Sequence, residues 1–218
     1  MALRWNTVGE PLRTALQVVM TEPLFEPFRL VGGTSLSLQL GHRMSVDIDL
    51  FTDAPYGSVD FKAIVDRLRV LFPKLDMHAS DLIGMGCSCF IGNDDESLVK
   101  LDVYHSTEPF MRPVQIEDGM RLAHIEDILA MKLEIVGRGP GRNGRKKDFW
   151  DLHALLDRYS MAEMLALYAE RYPYGHSSKD ILDGSQDFRI AEDDFDPICL
   201  QGKHWELIKL DIIRASGS

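Results

Sequence analysis

Two aspartates one residue apart, Asp47 and Asp49, alternate with Val46, Ile48 and Leu50. In an extended strand, residues two apart project from the same face, so both carboxylates point one way while the aliphatic side chains enter a core. Two such charges repel unless a cation lies between them. Hard oxygen donors suit Mg2+, which is usually held by one or two carboxylates and completed by water and substrate phosphate. Gly32-Gly33 precedes the pair, with thirteen residues between them. Read as a turn before a short helix over residues 34–40, capped by Thr34, it offers close backbone approach and amides at a positive helix end, which a phosphate needs. Taken alone, an Asp-x-Asp also suits an exposed edge or turn; the glycines, the spacing and the apolar alternation favour the metal-and-phosphate reading.

Positioning these residues requires a strand over residues 46–51 and a framework around it. Apolar spacing predicts a helix from Pro11 to near Pro23, a short strand over residues 28–31, and a helix over residues 60–72 with Asp60 as its cap and Pro73 as its stop. Two apolar stretches, residues 82–91 and 98–104, flank Gly92-Asn-Asp-Asp-Glu-Ser and read as a hairpin. In the second, Lys100 and Asp102 share a face opposite Val99, Leu101 and Val103, so a neighbouring strand would bring Asp102 beside Asp47 and Asp49. An outward Lys and Asp is equally what solvent prefers on a half-exposed strand.

The helical period returns at Ile125–Val136, then in a helix carrying Phe149, Leu152, Leu155 and Tyr159, over residues 161–171, and over residues 205–213. Lys132 falls on the apolar stripe of its helix, and a buried lysine needs a charged partner, for which Asp148 is placed. Lys132 snorkelling to water and Asp148 starting its helix is the competing account. Between the two helices, residues 138–147 carry five basic residues and no acid, a cationic loop suited to a triphosphate or an RNA backbone, or simply a solvated loop.

The chain has 218 residues, 45% of them hydrophobic and 27% charged, with a net charge of −10. That is globular composition, and it argues against broad nucleic-acid binding driven by phosphate neutralisation. Residues 1–150 hold 17 Lys/Arg against 21 Asp/Glu, whereas residues 151–218 hold 7 against 13, so the tail is acidic. Three cysteines (Cys87, Cys89, Cys199) without a zinc-like spacing suit a reducing compartment. With no run of about 18 apolar residues, the expectation is a cytoplasmic protein without a membrane partner. Nor do the His spacings, a GxSxG, a P-loop or a GxGxxG offer another chemistry; His42 could meet phosphate beside Arg43, while His105, His124 and His153 read as structural or surface residues.

Gly32-Gly33-Thr34, then His42-Arg43-x-Ser45-x-Asp47-x-Asp49-x-Phe51, Lys100-x-Asp102, Asp127-x4-Lys132 and Lys147-Asp148-Phe149-x-Asp151-Leu152 together resemble the nucleotidyltransferases of the AbiEii/AbiGii toxin family, within the polymerase-β-like superfamily. The resemblance implies an α+β fold: a nucleotidyltransferase palm with a twisted mixed sheet flanked by helices over residues 1–115, then a helical C-terminal lobe over residues 116–218 that completes the cleft and ends in the acidic tail. It implies Asp47, Asp49 and Asp102 as ligands of one or two Mg2+ ions, with Lys132 and Asp148 joining them in catalysis. Gly32, Gly33, Thr34, Ser35, Arg43, Ser45, Lys100 and Lys147 would bind the nucleotide. The implied reaction moves a nucleoside monophosphate from an NTP to an acceptor, such as a tRNA 3′ end or another RNA, with Asp102 nearest the acceptor hydroxyl. The implied setting is the toxin half of a toxin-antitoxin or abortive-infection pair with a cognate antitoxin. The alternative is a nucleotide-binding module of the same fold that acts through a protein partner without turnover.

Overall fold

The structure, a computed structural model, describes residues 2–78, 81–139 and 142–217. Two compact units divide the chain: Met1–Gln39, Ser45–Pro109 and Pro113–Ala123 form one, and Leu40–Met44, Phe110–Arg112 and His124–Ser218 the other.

The first unit is built on a mixed sheet of eight strands: β1 (Arg29–Leu30), β2 (Asp47–Thr52), β3 (Lys74–Asp76), β4 (Leu82–Ile83), β5 (Gly86–Gly92), β6 (Val99–His105), β7 (Gln115–Glu117) and β8 (Met120–Leu122). Their order is β3-β5-β6-β2-β1-β8-β7, with β4 paired to β5. β2 lies parallel to β6 and β1 parallel to β8, while β5 and β6 form the expected antiparallel hairpin. Two amphipathic helices, α1 (Glu10–Thr21) and α3 (Phe61–Leu71), pack on this sheet. Leu16, Val19, Ile64 and Leu68 from the helices meet Ile48, Leu50, Ile91, Leu101 and Val103 from the strands in one fully buried cluster. Asp60 caps α3 by accepting the Ala63 N–H at 2.9 Å.

Three details depart from the sequence reading. Val46 is 70% exposed rather than core, because the ladder to β6 begins one residue later, at Asp47 opposite Lys100. Gly32-Gly33 is not a turn before a helix but the first turn of α2 (Gly32–Leu40), so Thr34 lies inside the helix and does not cap it. Residues 115–122 are strands rather than the start of a helical lobe. Their Asp118-Gly119 corner has positive φ at both positions, 50° and 76°, as a two-residue hairpin turn of the primed type requires. Arg121 fixes this hairpin by donating to the carbonyls of Met20, Phe25 and Phe28.

The second unit is helical: α4 (Ile125–Val136), α5 (Lys146–Leu156), α6 (Met161–Arg171), α7 (Ser178–Ser185), α8 (Arg189–Glu192) and α9 (Trp205–Ser216). α7 and α8 occupy the polar stretch that carries no strong apolar period. Phe149, Trp150, Phe188 and Trp205 form its aromatic centre, with the two indoles stacked at 6.0 Å. A buried pair, Asp127 and Arg171 at 2.8 Å, anchors the segment Phe110–Arg112, since the Asp127 carboxylate also accepts the Met111 and Arg112 N–H groups. No helix of the described residues is long and apolar enough to cross a membrane.

Candidate active site

The alternation in β2 and β6 sends Ile48, Leu50, Leu101 and Val103 into the core and turns Asp47, Asp49, Lys100 and Asp102 to the other face of the sheet. Register completes the grouping: Asp49 stands opposite Asp102, and Asp47 opposite Lys100. Gly32 closes in from α2. Its φ of 65° favours glycine, and a Cβ there would fall far inside van der Waals contact of the Asp49 carboxylate. The helix start and the second aspartate of the pair are therefore in direct contact, with the Val31 N–H donating to the Asp49 carbonyl at 2.9 Å.

Asp102 is held at both oxygens. Oδ1 accepts from Ser88 Oγ at 2.6 Å, and Oδ2 accepts from Lys100 Nζ at 2.5 Å. Ser88 Oγ lies 2.8 Å from the Tyr104 hydroxyl. Since the serine proton goes to the carboxylate, Tyr104 donates to Ser88, giving a chain Tyr104 to Ser88 to Asp102. Burial pulls the Lys100 ammonium down, but Asp102, then Asp49 and Asp47, raise it above the ordinary lysine value. Among the described residues no three His, Cys, Asp or Glu side chains are gathered closely enough to hold an ion, and Asp102 is turned to its serine and lysine. The donor chemistry nonetheless fits a hard divalent cation: carboxylate oxygens on neighbouring strands, with glycine backbone in contact.

The hydroxyls expected at phosphate are engaged internally. Thr34 is buried and its Oγ1 reaches both the Asp47 carbonyl and Ser45 Oγ; a carbonyl only accepts, so Thr34 donates to Asp47 and receives the Ser45 proton. Ser35 is also buried and accepts from Gln39 Nε2 at 3.1 Å. The Thr34 bonds tie α2 to the start of β2.

The helical unit holds a second constellation, centred on Asp151, which is wholly buried. Its Oδ1 receives His42 Nε2 and Arg43 Nε, both at 2.7 Å, and its Oδ2 receives the Arg43 NH2 at 2.8 Å and Lys132 Nζ at 2.7 Å. Lys132 also pairs with Asp148 Oδ1 at 2.7 Å, and Asp148 Oδ2 accepts the Arg145 N–H that opens α5. Burial drives the Asp151 carboxyl up, but Arg43 and Lys132 beside it hold it well below the usual carboxylate range. Burial likewise pulls Lys132 down, and Asp148 and Asp151 carry it above the ordinary lysine value. Arg43 was expected at phosphate. It is instead 3% exposed, with its remaining arm donating to the Met44 carbonyl at 2.9 Å. The segment carrying it is strapped down by Leu200 N–H to His42 O and Met44 N–H to Ile198 O.

Ser88, Tyr104 and the hub role of Asp151 escape the sequence reading. Ser88 had one signal, its place between Cys87 and Cys89 on the face that alternation assigns to Asp102. Asp151 lies three residues after Asp148, on the same helical face, where one lysine can meet both. In the basic loop, Pro140 and Gly141 lie outside the described residues. Arg145 pairs with Asp194 at 3.2 Å and the buried Lys146 with Asp196 at 2.8 Å, so two of its cations meet the acidic tail. Arg138 and Arg142 are exposed, and Lys147 is half-buried at the start of α5.

A model of the family described as "Nucleotidyl transferase AbiEii toxin, Type IV TA system" matches residues 14–215. An uncharacterized protein of Aquifex aeolicus, aq_aa25, is 28% identical over 169 residues, 73% of each chain. Among solved structures, JHP933 of Helicobacter pylori superimposes with a TM-score of 0.61 at 21% identity over 96% of this chain and 92% of that one. MenT4, a nucleotidyltransferase toxin of Mycobacterium tuberculosis, gives 0.55 at 15% identity over 95% and 83%. These structural likenesses bear on the fold, which is α+β; the family match spans nearly the whole chain. The chain thus belongs to the AbiEii nucleotidyl transferase toxin family of type IV toxin-antitoxin systems, and is a nucleotidyltransferase.

Proposed function

We propose that the protein transfers a nucleoside monophosphate from an NTP to the hydroxyl of an RNA end, such as a tRNA 3′ terminus, in a Mg2+-dependent reaction, and acts in this way as a toxin. The observation that carries the reading is the register of β2 and β6, which sets Asp102 opposite Asp49, the aspartate that meets the glycine start of α2. Asp47, Asp49 and Asp102 would hold the metal. When bound, such an ion neutralises triphosphate charge and stabilises the attacking and leaving oxygens of an in-line displacement.

The residues of the chain do the rest. The backbone at Gly32 and Gly33 meets the phosphates at the positive end of α2, with Thr34, Ser35 and Ser45 fixing that end through their buried hydrogen bonds. Asp102, oriented by Ser88 and Tyr104, lies nearest the acceptor hydroxyl and takes its proton. The acceptor oxygen bonds to the α-phosphorus, the bond to the bridging oxygen breaks, and pyrophosphate leaves. Lys100 lies where its ammonium can follow phosphate charge. Lys132, Asp148 and Arg43, all buried in mutual ion pairs, serve as positioning residues in the helical unit. Lys147 would serve the nucleotide, and the exposed Arg138 and Arg142 are the cations offered to the RNA backbone.

The test is to incubate the purified protein with Mg2+, each of four labelled NTPs and whole-cell RNA, and to resolve the products. Label should enter small RNA, and the double variant Asp47→Asn/Asp49→Asn should abolish it. Equal labelling by that variant sinks the reading. Nucleotide-dependent thermal stabilisation with no product from any acceptor would point instead to a binding module.

A further inference from the structure

We propose that Lys100 is the resident counter-ion of the carboxylate face, and that a divalent cation enters by taking Asp102 Oδ2 from the Lys100 ammonium. The inference rests on the metal-binding reading of Asp47, Asp49 and Asp102. Asp49 and Asp102 stand opposite one another on adjacent strands, with Asp47 two residues along the same face, and like charges so placed raise the energy of the fold unless compensated. The sequence supplies the compensation from within the same ladder. Lys100 stands directly opposite Asp47 and two residues before Asp102, on the same face of β6. Its Nζ lies 2.5 Å from Asp102 Oδ2, with its side chain 40% exposed and that of Asp102 17% exposed. The other Asp102 oxygen is fixed by Ser88. The lysine therefore occupies the one Asp102 oxygen that is not already bonded to a hydroxyl, and that oxygen is the one an ion needs.

A primary ammonium on a four-carbon stem is suited to such an exchange, because it is a point charge without the planar fork that fixes an arginine. Once displaced from Asp102, it remains tethered at the same edge of the site, with its charge directed toward incoming phosphate. The ion and the triphosphate then enter as a charge-matched set: the ion replaces the ammonium on the carboxylates, and the ammonium is released to a polyanion. Without Lys100, the carboxylates would hold a divalent cation more tightly in the resting protein, and its capture would no longer be linked to a cation that moves.

The experiment measures Mn2+ affinity by calorimetry and electron paramagnetic resonance, and melting with and without Mn2+, on nucleotide-free full-length protein. The chains compared are wild type, Lys100→Met, Lys100→Arg and Asp47→Asn/Asp49→Asn. Lys100→Met should bind Mn2+ about two- to five-fold more tightly, the scale set by removing one partly exposed charge pair. It should melt lower than wild type when metal-free and recover on adding Mn2+. Lys100→Arg keeps a cation whose planar fork is harder to displace, so it should bind Mn2+ no more tightly than wild type; Lys100→Gln replaces Lys100→Met should the latter not fold. Unchanged or weaker Mn2+ binding by Lys100→Met, with binding abolished in Asp47→Asn/Asp49→Asn, overturns the counter-ion proposal and leaves the metal site standing. Absence of Mn2+ binding in all four chains overturns both.

Discussion

Replacing Asp151 by asparagine preserves the outline of the side chain while removing the charge on which His42, Arg43 and Lys132 converge. In the native protein Oδ1 and Oδ2 share four hydrogen-bonded contacts of 2.7 to 2.8 Å with those three residues. Asparagine has one acceptor oxygen, so its amide nitrogen would face a donor from Arg43 or Lys132. Lys132 would keep its pair with Asp148, while Arg43 would lose the carboxylate that its Nε and NH2 groups both engage. Uncompensating a buried ion pair in this way costs about 3–5 kcal/mol. In a chain of this length each kcal/mol shifts the melting midpoint by about 2–4 °C, so the expected fall is roughly 6–20 °C. The assay is urea and thermal unfolding followed by circular dichroism and tryptophan fluorescence, because the stacked Trp150 and Trp205 lie in the same helical unit. The pH dependence supplies a second handle. The Asp151 carboxyl is held well below its unfolded value, so its contribution is full above the unfolded pKa and is lost only as pH falls toward and through the lower folded value. That acid-limb loss should be missing from Asp151→Asn. The double variant Asp151→Leu/Lys132→Met removes partners together and should be less damaging than the sum of its single changes. A stability for Asp151→Asn within about 0.5 kcal/mol of wild type, the range of ordinary surface changes, would refute the hub.

Gly32→Ala forces a side chain into a left-handed φ and against the Asp49 carboxylate; it should cost at least about 1–2 kcal/mol, lower the melting point and weaken Mn2+ binding. Burial pushes the thiols of Cys87 and Cys89 up to about 11 and about 12, whereas the neighbouring Trp150 indole and backbone N–H groups, among them that of Lys203, outweigh burial and lower that of Cys199. Iodoacetamide at pH 8 followed by mass spectrometry should therefore modify Cys199 first, and equal rates at Cys87 would contradict the packing of β5. If Arg138 and Arg142 are the RNA-facing cations, affinity for a single-stranded RNA end should fall with salt at a logarithmic slope of about −1.4, from about 0.7 per phosphate contact. A slope twice as steep, measured by fluorescence anisotropy, would require a different surface.

What the sequence made legible follows the range of the interactions involved. Alternation along one strand is local, so the outward placement of Asp47, Asp49, Lys100 and Asp102 could be read before any pairing was known. The amphipathic spacing of α1, α3, α4 and α6 is local as well. Which strands lie side by side is not, and the hydroxyl chain from Tyr104 through Ser88 to Asp102 depends on the pairing of β5 with β6. An outward serine or tyrosine on a strand looks solvent-directed until that pairing is known. Thr34 has the residue type of a cap, but its hydroxyl is drawn to the Asp47 carbonyl across α2 and β2, and Gly32 begins the helix two residues earlier. Arg43 has the type and place of a phosphate ligand, yet a carboxylate 108 residues away claims it. The hairpin at residues 115–122 is different: Asp118-Gly119 is a strong local signal, obscured by strands only three residues long.

The acidity of the chain has a similar resolution. A net charge of −10 suggests a field that repels nucleic acid, and the acidic tail suggests that the field is strongest at the C-terminal end. The tail, however, spends much of its charge nearby: Asp194 on Arg145, Asp196 on Lys146, Asp187 on Arg189 and Glu192 on Lys209. Arg145 and Lys146 belong to the basic loop, so the acidic tail and the cationic loop are two halves of one local neutralisation rather than opposing surfaces. On the sheet, Lys100 offsets one of three carboxylates in the same way. Part of the acidic charge is therefore offset by neighbouring cations within each unit, and the steering available to a polyanion is that of a few cations acting at short range. Such a surface favours gripping one triphosphate and one RNA end over holding a long duplex, because affinity for the latter grows with the number of phosphates neutralised.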